Sequence, residues 1–347
     1  MFDYTELLEQ DPFGLPHDEK AALHAGWLAS LTAHHREACL SYDRLCAVLG
    51  DTPALPVRLF KEYDLKSIPD DEVAKTMTSS GTTGQRVSKI YLDRETSARQ
   101  TRVLAKTVTA FTGKGRMPML VIDSKAVLKN RNMFSARGAG ILGFSLLGRD
   151  VTYALDENMD LDLEAIYAFM ERHQGDQAML FGFTFMIWQH FCRALKDKGM
   201  ALDLHGTMIH GGGWKKLADQ NISNEEFKQA VRETCGIERV CNYYGMVEQT
   251  GSIFMECECG HLHASVFNDV AMVDPFTFDE VSRGRGLIKC TSLVPTSYPG
   301  HVLLTEDEGE VLGEDDCPCG RKGKYFAVYG RLQGAEIRGC SDTYERK

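Results

Sequence analysis

Apolar side chains recur at helical spacing between about Asp18 and Leu49, at Leu23, Trp27, Leu28, Leu31, Cys39, Leu45 and Leu49, predicting an N-terminal helical segment. Pro53, Pro56 and Pro69 punctuate the loop-rich stretch that follows. Runs of strand character at Met117–Ile122, Ala178–Phe183, Thr207–His210 and Arg239–Tyr243 then alternate with helix-like windows at Arg94–Phe111, Leu161–Arg172, Phe185–Lys196 and Asn224–Cys235. Such alternation implies an α/β fold, a mostly parallel sheet flanked by helices. Beyond about residue 260 the helical windows vanish. Val266–Val273, Gly286–Thr291, Val302–Thr305 and Tyr325–Tyr329 read as short strands, so a β-rich C-terminal subdomain is expected. The expected organisation is a helical segment at 1–55, an α/β body at 56–260, the β-rich subdomain at 261–330, and a hinge with a short tail at 331–347.

With 347 residues, 43% hydrophobic and 25% charged, the chain is globular and large enough for a substantial core. A formal net charge of −10 argues against nucleic acid or an anionic membrane as partner. No apolar run approaches the ~20 residues that span a bilayer, and the acidic start Met1-Phe2-Asp3-Tyr4-Thr5-Glu6 lacks a signal-peptide pattern. A cytoplasmic protein without a membrane span is expected. Its eleven cysteines then read as core thiols, metal ligands or nucleophiles rather than disulfides.

The most informative stretch is Thr78-Ser79-Ser80-Gly81-Thr82-Thr83-Gly84. Its glycines let successive N–H groups face one concavity, hydroxyls add donors, and Arg86 and Lys89 follow to meet an anion with charge. It is neither a Walker A loop nor a dinucleotide fingerprint. Alone, it reads first as a solvated Ser/Thr/Gly turn. Two further segments follow predicted strands, where open α/β sheets bind ligands. Gly211, Gly212 and Gly213, beside Trp214, allow a flat ligand against bare backbone, or else form a tight turn. Tyr243, Tyr244 and Gly245 precede Glu248, an acid able to hold Mg2+ beside a triphosphate, or else a solvated acid at a helix start.

Taken in order, the Ser/Thr/Gly loop, Gly-Gly-Gly-Trp, Tyr-Gly-Met-x-Glu, Thr305-Glu306-Asp307 and Gly330-Arg331 resemble the adenylate-forming superfamily. Within it, the chain looks most like the LuxE-type acyl-protein synthetases and the related phenylacetate–CoA ligases. The resemblance runs from about Leu55 to the end. It implies that Ser79 to Gly84, with Thr78 and Lys89, cradle the ATP phosphates, that Gly211–Gly213 with Tyr243, Tyr244 and Gly245 flank the adenine, and that Glu248 binds Mg2+. Asp307 would then hold the ribose hydroxyls, and Arg331 would stand at the hinge. Val247 replaces the usual threonine and Gln333 a common hinge aspartate. The chain stops at Lys347, so the mobile C-terminal domain of full-length acyl-CoA synthetases is expected to be absent. In the LuxE type a cysteine near the C-terminus carries the acyl group as a thioester; Cys340 matches, with Arg338 close by to lower its pKa. The implied substrate is a small-molecule carboxylic acid, most simply a fatty acid. The implied partner is an acyl-CoA/fatty-aldehyde reductase or an acyl carrier. An aryl-acid enzyme handing its adenylate to CoA, a carrier protein or an amine, and an inactive nucleotide-binding relative, are the alternatives.

Cys257-x-Cys259-Gly260 and Cys317-x-Cys319-Gly320 supply four thiolates, with His261 and His263 nearby, enough for a structural Zn2+ that clips the β-rich part together. The four cysteines are the expected ligands, with His263 the substitute if one thiol is left out; two reduced surface pairs are the alternative. Phe134, Phe144, Phe181, Phe183, Phe185 and Trp188 could line an acyl or aryl pocket, or be ordinary core.

Overall fold

The computed structural model describes residues 3–79, 86–128, 134–212 and 222–331. The described residues form two compact units, one of residues 3–79, 86–111 and 244–331, the other of residues 112–128, 134–212 and 222–243.

The second unit is the expected parallel α/β layer. Its strands lie in the order Arg239–Tyr244, Gly206–Gly211, Ala178–Phe183, Pro118–Ser124 and Arg149–Leu155, every neighbouring pair parallel. Continuous apolar runs suit strands covered on both faces: Pro118–Ser124 and Ala178–Phe183 are buried throughout. Leu120, Ile122, Leu180 and Met208 pack with Phe169, Phe191 and Phe227 from the helices. Helix Asn224–Cys235 begins at a capping box, Ser223 with Glu226, and ends at Gly236 in the left-handed region. Between Thr184 and Asp197 the helix widens into one π turn at Ile187–Cys192. Strand Arg149–Leu155 was not expected. It opens with the exposed Arg149 and Asp150, because it pairs with Pro118–Ser124 at the sheet edge.

In the first unit an antiparallel sheet runs in the order Glu280–Val281, Asn268–Val273, Arg285–Ser292, Val302–Glu314, Lys324–Arg331, Leu262–His263 and Phe254–Glu256. Val302–Glu314 outruns the expected strand by nine residues, since pairing with Lys324–Arg331 carries its acidic stretch in extended form. Lys75–Thr78 and Lys89–Leu92 form an antiparallel hairpin that frames the Ser/Thr/Gly stretch. The N-terminal helices Tyr4–Glu9, His17–Ala38 and Leu40–Leu49 and the helix Arg94–Thr112 complete the unit.

Helical side chains also satisfy a buried loop, Leu293–Gly300. The Tyr4 hydroxyl donates to the Leu293 carbonyl at 2.7 Å and Arg99 to that of Val294 at 2.9 Å. His35 Nε2 bonds the carbonyl of Pro295 at 3.3 Å, and His34 Nε2 that of Thr296 at 2.8 Å. Buried loop carbonyls without such partners would each cost on the order of 1–3 kcal/mol. No helix among the described residues is long and apolar enough to cross a membrane.

Candidate active site

At the foot of the hairpin, Ser79 and Ser88 close the frame: the Ser79 N–H donates to the Ser88 carbonyl at 3.2 Å, and the Ser88 N–H to Ser79 Oγ at 2.9 Å. Thr78, just before, is buried. Lys89 lies on the outer side, 3.9 Å from Asp64, which also accepts from the Tyr91 hydroxyl; Arg86 pairs with Glu62 at 2.7 Å. Ser80 to Gly84, Gly213 to Lys215, Gln333 and Cys340 lie outside the described residues.

Glu248 sits on the short 3₁₀ turn Val247–Gln249, held from behind by Gln249 Nε2 donating to the carbonyls of Cys290 (3.3 Å) and Gly300 (2.9 Å). Its carboxyl is buried, and burial raises its pKa, while a hydrogen bond from the Ser88 side chain counteracts that rise. Ser88 thus joins the hairpin foot to the acid expected to hold Mg2+. Sequence reasoning missed it, since a lone serine outside the glycine run carries no signal of its own.

Asp307 is fixed on both sides. Tyr244 donates its hydroxyl to Oδ2 at 2.8 Å, Arg331 Nε lies 3.4 Å from Oδ1, and the Asp307 N–H donates to Thr305 Oγ1 at 3.2 Å. Arg331 also reaches Glu306 at 3.5 Å. The Tyr244 ring packs near Phe254 and Phe326, and its phenol pKa rises well above the usual value through burial and the adjacent Asp307 carboxylate.

In the second unit, Gly211 pairs with Tyr243 across the parallel strands. A Cβ on Gly211 would fall 2.3 Å from the Tyr243 ring, so glycine is required there by close approach. The Tyr243 ring packs 5.2 Å from Phe144, which stacks on Phe181 at 4.2 Å. Phe144, Phe181 and Phe183 are buried, while Phe185 and Trp188 are partly exposed. The Phe134 side chain lies outside the described ones.

The two Cys-x-Cys-Gly segments adopt matching turns. Gly260 and Gly320 stand at φ 78° and 81°, and each donates its N–H to the carbonyl of the first cysteine at 2.9 Å. The ligand atoms of Cys257, His263, Cys317 and Cys319 lie within 4.8 Å of one another. His263 replaces Cys259 in this cluster. The turn directs the Cys259 backbone N–H at Cys257 Sγ (3.4 Å) and leaves the Cys259 residue exposed. Tetrahedral zinc at ~2.3 Å from sulfur suits four atoms so gathered. His263 is also suited to metal: burial lowers its pKa to about 4, and Nδ1 is buried without a hydrogen-bond partner among the described residues.

The family model described as acyl-protein synthetase, LuxE, matches residues 3–347. The chain belongs to the LuxE acyl-protein synthetase family. It is similar to two proteins named long-chain-fatty-acid–luciferin-component ligase. One, from Vibrio harveyi, is 26% identical over 325 residues, covering 88% of this chain and 81% of the relative. The other, from Aliivibrio fischeri, is 22% identical over 308 residues, covering 84% and 78%. Among solved structures, an open conformation of 2-hydroxyisobutyryl-CoA ligase matches with a TM-score of 0.70 at 15% identity, covering 94% of this chain and 78% of that one. The LuxE chain therefore has the adenylate-forming ligase fold and is a ligase of a carboxylic acid.

Proposed function

We propose that this LuxE-family ligase activates a long-chain fatty acid with ATP and passes the acyl group to the thiol of Cys340. The observation carrying the reading is the buried Glu248 carboxylate, linked through the neutral Ser88 hydroxyl to the foot of the Ser/Thr/Gly hairpin. A buried acid so placed calls for a cation. Mg2+ on Glu248 would neutralise charge on the ATP phosphates. Thr78 to Gly84 and Lys89 hold those phosphates in this reading. Lys89 leaves its exposed contact with Asp64 to do so, at a cost of roughly 0–1 kcal/mol. Gly211 to Gly213 with Tyr243, Tyr244 and Gly245 flank the adenine, Asp307 takes the ribose hydroxyls, and Arg331 steadies Asp307.

A carboxylate oxygen of the acid attacks the α-phosphorus, the bond to the pyrophosphate oxygen breaks, and pyrophosphate leaves. This step asks the protein mainly for positioning and charge neutralisation. The Cys340 thiolate then attacks the acyl carbonyl carbon, the bond to the AMP oxygen breaks, and AMP leaves; the thiol proton goes to solvent. The thioester would serve an acyl-CoA/fatty-aldehyde reductase or an acyl carrier. The long-chain acid is supported by the names of the two curated relatives. Phe144 stacked on Phe181, with the Tyr243 ring tilted against it, favours a second reading, an aryl acid. The Cys257, His263, Cys317 and Cys319 cluster would hold a structural Zn2+ with no ligand position left for catalysis. Described cysteines that are all free accord with a reducing cytoplasm. Exchange of labelled pyrophosphate into ATP tests the reading. Exchange that depends on a long-chain acid supports it; exchange driven only by aryl acids selects the second reading, and none with any acid overturns both.

A further inference from the structure

One contact among the expected nucleotide groups is not assigned by the motif order. Tyr244 ends the strand Arg239–Tyr244, and its hydroxyl lies 2.8 Å from Asp307 Oδ2, sixty-three positions on in the chain. An aspartate side chain turns about a soft terminal torsion, so an unheld carboxylate samples a broad range of planes. Here the plane is fixed from two sides, by the Tyr244 hydroxyl on Oδ2 and by Arg331 Nε 3.4 Å from Oδ1. The backbone beneath is fixed too, by Thr305 Oγ1 accepting from the Asp307 N–H. An ionised carboxylate accepts about four hydrogen bonds, so acceptor capacity remains on both oxygens after Tyr244 has used one. Two adjacent acceptors held in one plane match a cis-diol, the 2′- and 3′-hydroxyls of a ribose, and match a deoxyribose less well. The tyrosine stays protonated and able to donate, because its ring is packed beside Phe254 and Phe326 and next to a negative charge.

We propose that Tyr244 is a positioning residue that sets the plane of the Asp307 carboxylate and thereby makes the enzyme select ribonucleotide over deoxyribonucleotide. The inference rests on the reading of Asp307 as the ribose acid. It adds a role for the phenol oxygen, distinct from any contact of the Tyr244 ring with adenine.

The test is acid-dependent ATP–pyrophosphate exchange with ATP, 2′-deoxy-ATP and 3′-deoxy-ATP, for the full-length wild type, Tyr244→Phe and Asp307→Ala, with thermal unfolding confirming that each variant is folded. Tyr244→Phe removes one oxygen and keeps the ring. The KM for ATP should rise about 10- to 100-fold, the loss expected for one hydrogen bond to a charged group. Its KM for either deoxy analogue should change far less, so discrimination shrinks while kcat holds. A purely packing role would raise KM for all three nucleotides by the same factor, and that result would overturn the inference. Discrimination kept in Tyr244→Phe but lost in Asp307→Ala overturns the role of Tyr244 alone. Discrimination kept in Asp307→Ala, or absent from wild type, overturns the ribose reading and the inference with it.

Discussion

Replacing His301 with phenylalanine should flatten the acid dependence of stability. His301 is fully buried, bonded through Nε2 to Thr32 Oγ1 at 3.0 Å and stacked on His35 with centroids 4.9 Å apart. Burial, aided by the nearby His34, lowers its pKa from 6.5 to about 3. The folded value lies below the unfolded one, so the unfolded chain binds more protons between them. The stability contribution is therefore complete above about pH 6.5 and is lost as pH falls toward about 3. At about pH 5 the unfolded imidazole is favoured by roughly a factor of 30 in protonation, a loss of about 2 kcal/mol from this residue. His24, lowered to about 4 by burial and by Lys20, loses a similar amount over a window ending nearer pH 4. Two such losses approach the lower end of the 5–15 kcal/mol typical of domains. Urea unfolding followed by tryptophan fluorescence between about pH 7 and 5 should give a wild-type slope that falls by about 1 kcal/mol per pH unit in His301→Phe. The variant should also be about 1–2 kcal/mol less stable at neutral pH, because the Thr32 and Tyr42 hydroxyls lose their partner. Parallel pH profiles for the two proteins would refute the argument.

Two further outcomes follow from the sites. Glu248→Gln keeps the shape of the 3₁₀ turn but removes the charge, so pyrophosphate exchange should drop on the order of a hundredfold with little change in melting temperature; an unchanged rate at saturating Mg2+ would remove Glu248 from the metal. Metal analysis of the purified protein should find zinc in wild type and in Cys259→Ala, and neither zinc nor full thermal stability in Cys317→Ser or His263→Ala; equal loss in Cys259→Ala would restore the four-cysteine set.

Much of the parallel sheet was legible because its strands are apolar without interruption, as in Ala178–Phe183, and because helix-like windows such as Asn224–Cys235 alternate with them. Edges and acidic strands were harder to read. Arg149–Leu155 begins with charged residues, and Glu306 to Glu310 look like loop until a partner strand takes up their backbone groups. Spacing could not separate Cys259 from His263 as a metal ligand, since only the turn at Gly260 decides which atom faces inward. Long-range polar contacts were invisible as well. Lys20, His24 and His35 are buried in the helix His17–Ala38 because Asp269 and the carbonyls of Val266 and Pro295 meet them from far along the chain. The Tyr244–Asp307 bond belongs to the same class: both residues were singled out, and their contact was not.

The central claim, adenylation followed by transfer to a protein thiol, is tested most directly by radiolabelled fatty acid on wild type and Cys340→Ala, scoring pyrophosphate exchange beside acyl label that survives denaturation. The account predicts full exchange in both proteins, with label on wild type alone and released by hydroxylamine, as a thioester requires. Equal label on Cys340→Ala, or exchange without label on either protein, would contradict transfer to that thiol.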